Sequence, residues 1–457
     1  MNSLGKPLLR IAALSDIQGY PYPEDSGMRN LERALDILAS LKPDVIVNDG
    51  DINDTGNDAD AVRHYREHCD ARLGAIPHVA CLGNHELCFL RDDMKASRTP
   101  DAIRRDFNAV FGYAPETRVV RVNVKGYEFV ALHLSRAEGH TDEEIAAFGA
   151  ALEDAVRRDP AKPVFAVTHY HPKDTVNDSR QKAKSGALRR LFDRFPQVVS
   201  LSGHTHGSLR DPRSIWQGAF TAIETATLCY GSLGLDPPAA NQISCLLPYG
   251  HESVGCLFLE VFAESIVVRR FDVRERAEID PGAPWRIPWP HNPATAPYRF
   301  DSRSAAEIAP QFAGDPEPTL WYDYGFIYLM FAAACPVPAS EAAVAGFAPA
   351  AEAAVAGFAP AAEAAGSLLG YRVELADVET GFATSHFHVS DFYRAPHRRA
   401  DRIVFRAPPG SLALGHRYRC RIIPVGFFGG EGRPAEWSFS VKPDYPLRAD
   451  APNALPE

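Results

Sequence analysis

Short apolar runs alternate with amphipathic stretches over residues 8–275 of the chain. The runs are LLRIAAL (8–14), DVIVND (44–49), HVACLG (78–83), YEFVALHL (127–134), PVFAVTH (163–169) and QVVSLSG (197–203). Intervening stretches such as 29–41 and 142–158 have the apolar spacing of helices that bury one face. Because strands that alternate with helices form a sheet layered with helices, the sequence predicts an α/β domain. The segment 255–273 reads as a β-hairpin that closes this domain.

The length of 457 residues exceeds one ordinary core, so two or three domains are expected. We predict a first domain over residues 1–275, a proline-rich crossing linker over 276–318 and an all-β sandwich over 319–445. The motif EAAVAGFAPAA occurs twice in succession from residue 341, which is far shorter than a solenoid unit. We interpret residues 341–365 as an Ala/Pro-rich repeat loop of the sandwich.

Composition limits the classes of partner. With 46% hydrophobic and 23% charged residues, the chain has the composition of a soluble globular protein. A formal net charge of −10 argues against nucleic acid, because phosphate backbones bind basic surfaces. No run approaches the ~20 apolar residues of a membrane helix and no signal peptide is recognisable, so we expect no membrane association. Eight cysteines without a C-x-x-C pair fit reduced thiols, and we expect a cytoplasmic protein.

Polar clusters follow five of the predicted strands. They are Asp16-x-Gln18, GDINDTG (50–56), GNHE (83–86), THYHP (168–172) and GHTH (203–206). Because ligands gather at the carboxyl ends of strands in an open α/β sheet, we expect these loops to converge. Carboxylate, amide and imidazole groups without thiolate suit hard or borderline cations such as Mn²⁺, Fe or Zn²⁺. The sequence therefore predicts a site for two metal ions.

These five blocks resemble, in the same order, the motifs of the calcineurin-like metallophosphoesterases. The family pattern is D-x-H, G-D-x-x-D, G-N-H-[DE], a later histidine and G-H-x-H. The one departure is Gln18, which stands where the family carries histidine. The resemblance covers about residues 8–275 and implies a four-layer α/β/β/α fold. It also implies two divalent metal ions as cofactors, with Mn or Fe favoured and Zn or Mg as alternatives.

Carried over to this chain, the resemblance implies seven metal ligands. They are Asp16, Gln18 and His206 for one ion, Asn84, His169 and His204 for the other, and Asp51 between the two. His85 would face the substrate as a catalytic group, and Asp54 would orient it. A hydroxide shared by the ions would attack phosphorus. In THYHP the position after the strand favours His169 as the ligand, with His171 as a supporting or substrate-side residue.

Several further residues have two interpretations. His133 lies inside a predicted strand and is more typical of a core histidine than of a ligand. His251 lies on a loop, where it is either surface or close to the substrate. Tyr20 and Tyr22 could form a wall of the pocket or an ordinary proline-stiffened loop. The tryptophans at 285 and 289 of the proline-rich segment are expected to pack the domains together.

We predict a phosphoesterase that hydrolyses a small phosphodiester or a nucleotide pyrophosphate. Thr55 stands where the family's protein phosphatases carry a phosphate-gripping arginine, which argues against phosphoprotein substrates. One alternative is a phosphomonoesterase of the same fold. Another is a catalytically weak domain that serves as a protein-binding module. The C-terminal sandwich weakly resembles fibronectin type III domains and could bind a protein partner. Because an amide binds metal more weakly than imidazole, we hypothesise that Gln18 favours Mn²⁺ or Mg²⁺ over Zn²⁺.

Overall fold

The computed structural model describes residues 5–19, 26–54, 59–88, 99–177, 185–234, 245–334 and 368–446. Its contacts divide the chain into two compact units, of which the first ends at Arg299 and the second begins at Phe300. The predicted repeat loop at 341–365, and the candidate residues Tyr20, Tyr22 and Thr55, lie outside the described residues.

The first unit contains two large β-sheets, a small sheet formed by its tenth and eleventh strands, and several helices. In chain order its strands are β1 (Leu9–Leu14), β2 (Val45–Asn48), β3 (His78–Ala80), β4 (Val119–Val124), β5 (Tyr127–Leu132), β6 (Val164–Thr168), β7 (Val198–Ser202), β8 (Ile215–Gln217), β9 (Thr221–Glu224), β10 (Ser232–Leu233), β11 (Cys245–Leu246), β12 (Gly255–Val261), β13 (Ser265–Asp272), β14 (Ala277–Glu278) and β15 (Trp285–Pro288). The described α-helices are α1 (Ser26–Leu41), α2 (Ala59–Leu73), α3 (Pro100–Phe111), α4 (Asp142–Arg158) and α5 (Ser185–Phe192).

One sheet has the strand order β14-β13-β12-β1-β2-β3, and β15 also pairs with β13. The other has the order β4-β5-β6-β7-β9-β8. Strands β1, β2 and β3 run parallel to one another, as do β5, β6, β7 and β9. Parallel strands end at the same edge of a sheet, so the loops that follow them are brought close together. The hairpin of β12 and β13 closes the first sheet, as predicted.

The two sheets pack face to face and helices cover their outer faces. Leu9 and Ile11 of β1 point into the core between the sheets, where they join Phe129 and Phe165. Ala12 and Leu14 of β1 point to the opposite face and pack against the helices. Successive side chains of a strand alternate between its two faces. Helices α1 to α3 cover the first sheet, and α4 and α5 cover the second. The predicted α/β/β/α fold is therefore confirmed.

Local sequence explains how α4 begins and ends. Thr141 accepts a hydrogen bond from the backbone amide of Glu144, and the Glu144 side chain accepts one from the Thr141 amide. This capping box satisfies two amides that the first helical turn leaves unpaired. Arg157 and Arg158 lie in the last turn, where cations interact favourably with the helix dipole.

The segment 276–318, which the sequence assigns to a linker, is divided between the two units. Strand β15 pairs with β13, and Trp285 is fully buried in the core between the sheets of the first unit. Trp289 is also buried in this core, and its indole nitrogen donates to the carbonyl of Ala161 at 2.7 Å. Two large apolar rings thus extend the first unit to residue 299, beyond the predicted boundary at 275.

The second unit is a sandwich of two antiparallel sheets. It consists of helix α6 (Phe300–Ala306) and strands β16 (Thr319–Asp323), β17 (Phe326–Ala332), β18 (Leu368–Asp377), β19 (Ala383–Val389), β20 (Arg402–Arg406), β21 (Arg417–Gly426) and β22 (Ala435–Ser440). The sheets have the orders β16-β17-β20 and β19-β18-β21-β22. Leu329 and Phe331 of one sheet share a buried core with Tyr371 and Ile422 of the other. The predicted all-β architecture of this part of the chain is confirmed.

Among the helices of the described ranges, none has the length and apolarity needed to span a membrane.

Candidate metal centre

The five polar clusters lie in loops that follow β1, β2, β3, β6 and β7. Backbone hydrogen bonds join the first two of these loops. The amide of Asp16 donates to the carbonyl of Gly50 at 3.1 Å, and the amide of Gln18 donates to the carbonyl of Asp51 at 3.0 Å. The first two clusters, which both follow strands of the first sheet, therefore lie side by side at the carboxyl ends of these strands.

Five of the predicted metal ligands have a left-handed backbone conformation. Their φ angles are 49° for Asp16, 46° for Gln18, 53° for Asp51, 71° for His204 and 53° for His206. For a residue other than glycine, this backbone conformation carries a strain energy on the order of 1–3 kcal/mol. Contacts with the surrounding structure must therefore hold it there. Strain of this kind clusters at functional sites, because it aims side chains that a regular strand or helix would turn away.

Two glycines permit the close approach of the loops. A Cβ atom at Gly83 would overlap Asp51 Oδ1, and one at Gly203 would overlap Asp16 Oδ2. Either overlap would displace a candidate ligand, so only glycine fits at these positions. The glycines of GNHE and GHTH are therefore required by packing against the two carboxylates.

Asp16 and His206 form one half of the centre. Asp16 Oδ2 accepts hydrogen bonds from the Ser15 hydroxyl at 2.6 Å and from the backbone amide of His204 at 2.9 Å. Both of these hydrogen bonds involve Oδ2. The other carboxylate oxygen, Oδ1, lies 3.1 Å from His206 Nε2. One ligand atom each from Asp16, Asp51 and His206 lies within 4.8 Å of the others, which is close enough for a single cation.

Asp51, His169 and His204 form the other half, with their ligand atoms again within 4.8 Å of one another. Asp51 Oδ2 lies 3.2 Å from His169 Nε2, and Asn84 Oδ1 lies 2.9 Å from the same nitrogen. Asp51 is the one residue that belongs to both halves. The described residues thus bring together six of the seven predicted ligands around a shared carboxylate.

The donor atoms fit divalent cations. Asp16 Oδ1 and Asp51 Oδ2 are buried, and within the described part of the chain neither accepts a hydrogen bond. His169 Nδ1 lies 3.0 Å from the carbonyl of Asp49, and His206 Nδ1 lies 2.9 Å from the carbonyl of Tyr230. Donation to these carbonyls fixes Nδ1 as the protonated nitrogen and leaves the Nε2 lone pair for a metal.

The potential of the site is negative. Burial lowers the pKa of His169, but the negative charge of Asp51 beside it outweighs burial and raises the pKa to about 10. The charge of Asp16 adds to this effect. A potential that favours a positive imidazole also favours a divalent cation, and buried carboxylates need such a partner.

The seventh predicted ligand, Gln18, lies in the same loop as Asp16 and is only 7% exposed. Its side-chain amide nitrogen is buried and makes no hydrogen bond to any residue of the described ranges. A buried amide N–H without a partner destabilises the folded state by on the order of 1–3 kcal/mol, so this nitrogen is available to donate to an oxygen of a ligand. A cation would have to bind the amide oxygen of the same side chain.

His85 lies beside the clusters and has a partner of its own. His85 Nδ1 is 3.0 Å from Asp54 Oδ1 and 3.3 Å from the Asp54 carbonyl. Burial lowers the pKa of His85, but the Asp54 hydrogen bond and the charge of Asp51 raise it to about 9. The imidazole is thus held as a hydrogen-bond donor with Nε2 on the side away from Asp54. The substrate-facing role of His85 stays a prediction.

Glu86 is a supporting residue to which the sequence assigned no role. Its buried carboxylate accepts hydrogen bonds from four backbone amides, those of Asp51, Ile52, Asn53 and Gly83. These contacts tie the loop after β2 to the loop after β3. Burial and the charge of Asp51 raise the pKa of Glu86 to about 7. Its place in the GNHE block was the only signal that could have identified it.

His171 lies outside both halves of the centre. It is buried, with Nδ1 2.7 Å from the Ser202 hydroxyl and Nε2 2.9 Å from the Thr205 hydroxyl. Burial lowers its pKa to about 3, so the ring is neutral. Both ring nitrogens are therefore occupied, and of the two histidines in THYHP the structure places only His169 in a cluster.

Glu224 supports the GHTH loop and has no motif that would reveal it. It is fully buried and accepts hydrogen bonds from the Thr205 hydroxyl at 2.6 Å and from the backbone amide of Gly207. Its Oε2 lies 3.3 Å from the Ser214 hydroxyl. Burial raises the pKa of Glu224 to about 8. These contacts fix the residues on either side of His206.

His133 and His251 lie away from both halves of the centre. His133 is buried in the core, where its Nδ1 accepts a hydrogen bond from the Leu82 amide at 3.1 Å. His251 is exposed on a short 3₁₀ turn over Gly250–Glu252. The interpretation of His133 as a core residue is consistent with its position.

Part of the chain is similar to known proteins. Residues 9–208 match the family model described as calcineurin-like phosphoesterase. No curated protein matches the chain significantly. Similar solved structures include a dimetal phosphatase from Danio rerio, with 13% identity, a TM-score of 0.41 and coverage of 62% of this chain and 100% of that one.

Two further solved structures are similar to parts of the chain. A purple acid phosphatase from yellow lupin has 11% identity and a TM-score of 0.43, over 60% of this chain and 52% of its own. The fibronectin type III domain of human collagen XX has 12% identity and a TM-score of 0.16, over 29% of this chain and 94% of its own. All five ligand blocks fall within residues 9–208, the part of the first unit that matches the calcineurin-like phosphoesterase model.

Proposed function

We propose that the first unit hydrolyses small phosphate esters with the help of two divalent metal ions. The observation that carries this proposal is the position of Asp51, whose carboxylate belongs to both ligand clusters. A carboxylate shared by two clusters of this composition is typical of two-metal hydrolytic sites.

Asp16 and His206 would hold one ion, and Asn84, His169 and His204 would hold the other. Asp51 would bind both. Two divalent cations in such a site lower the pKa of water and neutralise charge on the oxygens of a phosphoryl group. Mn²⁺ or Fe is our preferred metal, because the ligand set contains carboxylate, amide and imidazole but no thiolate.

His85 would act directly on the substrate. Its Nδ1 is engaged by Asp54, so Nε2 can donate a hydrogen bond to a phosphoryl oxygen or a proton to the leaving group. Asp54 would keep the ring oriented and positively charged. The protein thus supplies a fixed donor in addition to the charge of the cations.

For the substrate we propose a small phosphodiester or a nucleotide pyrophosphate, with a phosphomonoester as the second candidate. A formal net charge of −10 disfavours a long polyanion such as nucleic acid. A small substrate requires only the local positive charge that two cations would provide. We further propose that the second unit serves to bind a protein partner.

The test is metal content together with turnover. The full-length protein would be loaded with Mn²⁺, Fe²⁺, Zn²⁺ or Mg²⁺ and assayed on a chromogenic phosphodiester, a chromogenic phosphomonoester and a nucleotide pyrophosphate. Two ions per chain with a higher kcat/KM on a diester or pyrophosphate would support the proposal. Faster turnover of the monoester would favour the second candidate, and no turnover with any metal would contradict both.

A further inference from the structure

Tyr170, the central residue of THYHP, packs its ring against two candidate metal ligands. The centroid of this ring lies 5.4 Å from that of His169 and 4.4 Å from that of His204. The rings of His169 and His204 are themselves 5.0 Å apart, with an angle of 66° between their planes. The three rings therefore form one packed group, and two of them belong to the same ligand cluster.

The contact between Tyr170 and His204 is the closest of the three. The planes of these two rings are at 75°, which is an edge-to-face arrangement. Aromatic pairs prefer this arrangement and gain free energy from it beyond the burial of their surfaces. His204 is only half-buried, whereas His169 and Asp51 of the same cluster are buried. A ring packed against a half-buried imidazole restricts the positions that its nitrogens can take.

Tyr170 is itself held in place by the protein. Its hydroxyl donates a hydrogen bond to the carbonyl of Ala137, in the loop between β5 and α4. Its carbonyl accepts one from the Thr168 hydroxyl at 2.9 Å. The side chain is buried in the apolar core that also contains Leu87 and Leu134. All of these contacts are made by protein atoms, so the position of the ring does not depend on a bound ion.

The other half of the centre has a different aromatic neighbour. His206 packs against the ring of Tyr230, with centroids 4.4 Å apart. The two halves are therefore supported by separate tyrosines, although they share the carboxylate of Asp51. A change at Tyr170 should consequently act on one half of the centre more than on the other.

We propose that Tyr170 is a positioning residue for one of the two ions, namely the ion that would be held by His169 and His204. This inference rests on the proposed function and adds to it a residue that is not itself a ligand. A neighbour that holds ligand side chains in the geometry of the bound state lowers the conformational entropy that binding costs. Removing the ring should therefore weaken binding of this ion and leave the other ion unchanged.

The variant Tyr170→Leu removes the ring and keeps an apolar side chain in the core, whereas Tyr170→Phe removes only the hydroxyl. Two aromatic contacts together contribute enough to change an affinity by about 5–100-fold. We expect Tyr170→Leu to weaken binding of one Mn²⁺ ion by this factor and Tyr170→Phe to keep the wild-type affinity. The control is Tyr127→Leu, because Tyr127 is also buried but lies at the start of β5, opposite the end where the strands meet the centre.

Variants that lack one ligand histidine identify which ion is affected. The full-length variant His206→Asn keeps the ligands of the second cluster, and adding Tyr170→Leu to it should lower the affinity of the remaining Mn²⁺ ion by about tenfold. The variant His204→Asn keeps the ligands of the first cluster, and the same addition should leave its Mn²⁺ affinity unchanged. A loss of affinity in the His204→Asn protein and none in the His206→Asn protein would overturn the inference.

Equilibrium dialysis followed by elemental analysis would measure the bound ions, and thermal unfolding of the metal-free proteins would show whether each variant folds. If Tyr170→Leu is unfolded, Tyr170→Met serves the same purpose, since it fills the space without a ring. Two Mn²⁺ ions bound with wild-type affinity by the folded variant would contradict the inference, as would a similar loss in Tyr127→Leu. If the wild type binds two ions but hydrolyses no ester, the proposed function fails while the role of Tyr170 is still decided by the titrations.

Discussion

Asp51 Oδ2 lies 3.2 Å from His169 Nε2, although one residue follows a strand of the first sheet and the other a strand of the second. This contact joins the two halves of the site, because Asp51 is also clustered with Asp16 and His206. Both side chains are almost completely buried. The buried carboxylate of Asp51 is thus shared by a cluster that contains His206 and a cluster that contains His169 and His204. This shared position is the feature that most directly indicates a site for two metal ions.

We expect Asp51→Asn to lower the affinity for both metal ions by more than about tenfold, since it removes the charge that the two clusters share. Metal titration followed by elemental analysis would measure the loss. Asp44→Asn is a suitable control, because Asp44 pairs with Lys125, belongs to neither ligand cluster, and as asparagine can still accept the hydrogen bond from the Arg10 amide. Two tightly bound ions in a folded Asp51→Asn protein would exclude a bridging role.

His85→Ala should retain both metal ions but lower kcat by on the order of 10²–10⁴-fold, the usual contribution of an acid–base group. The reason is that its ring lies outside both ligand clusters and is held by Asp54. Asp54→Asn should give a smaller loss. It should also shift the alkaline limb of the pH profile to lower pH, because Asp54 helps to raise the pKa of His85 to about 9. Loss of metal in His85→Ala would show that His85 is a ligand.

Glu224 makes stability depend on pH. Burial raises its pKa from 4.5 to about 8, so its contribution to the free energy of unfolding is fully present below pH 4.5. The contribution is lost progressively as the pH rises through 8, because the unfolded state then holds fewer protons than the folded one. Glu224→Gln cannot ionise and should therefore lose less stability than wild type between pH 6 and pH 9. Thermal unfolding at a series of pH values would measure this, and parallel curves for the two proteins would contradict it.

Gln18→His should tighten binding of the metal held by Asp16 and favour Zn²⁺, since imidazole is a stronger ligand than an amide for this ion. Gln18→Ala should weaken metal binding without abolishing it. Titrations with Mn²⁺ and Zn²⁺, followed by assays on cyclic and linear phosphodiesters, would test both expectations. If wild type and both variants give the same titrations and substrate profiles, Gln18 has no part in metal binding.

A fragment of residues 1–299 should fold and hydrolyse a small substrate, because it contains every candidate ligand and ends where the first unit ends. A fragment of residues 1–275 should be insoluble or unstable, since it lacks Trp285 and Trp289 and would leave the core between the sheets incomplete. Solubility, thermal unfolding and turnover would distinguish the fragments. A folded, metal-loaded fragment 1–299 without turnover would mean that the second unit contributes to catalysis.

The motif blocks and the apolar runs before them were sufficient to predict the fold of the first unit and the residues around its centre. The residues within each short block are enough to predict the role of that block. Gly83 and Gly203 permit close approach, Asp51 supplies a carboxylate, and an apolar run directly before a block identifies a strand. Information of this kind is local, and strand order then brings the loops to one edge of the sheets.

Other properties depended on contacts between distant parts of the chain. The position after the strand favoured His169 over His171 as the ligand, but only the structure shows that both ring nitrogens of His171 lie within hydrogen-bond distance of Ser202 and Thr205. Glu224, Tyr230 and Trp285 lie in no recognisable motif, and each acquires its role from a partner far away in sequence. A periodic pattern predicts which face of an element is buried, but the identity of the side chain that it meets is decided by how the sheets and loops pack together.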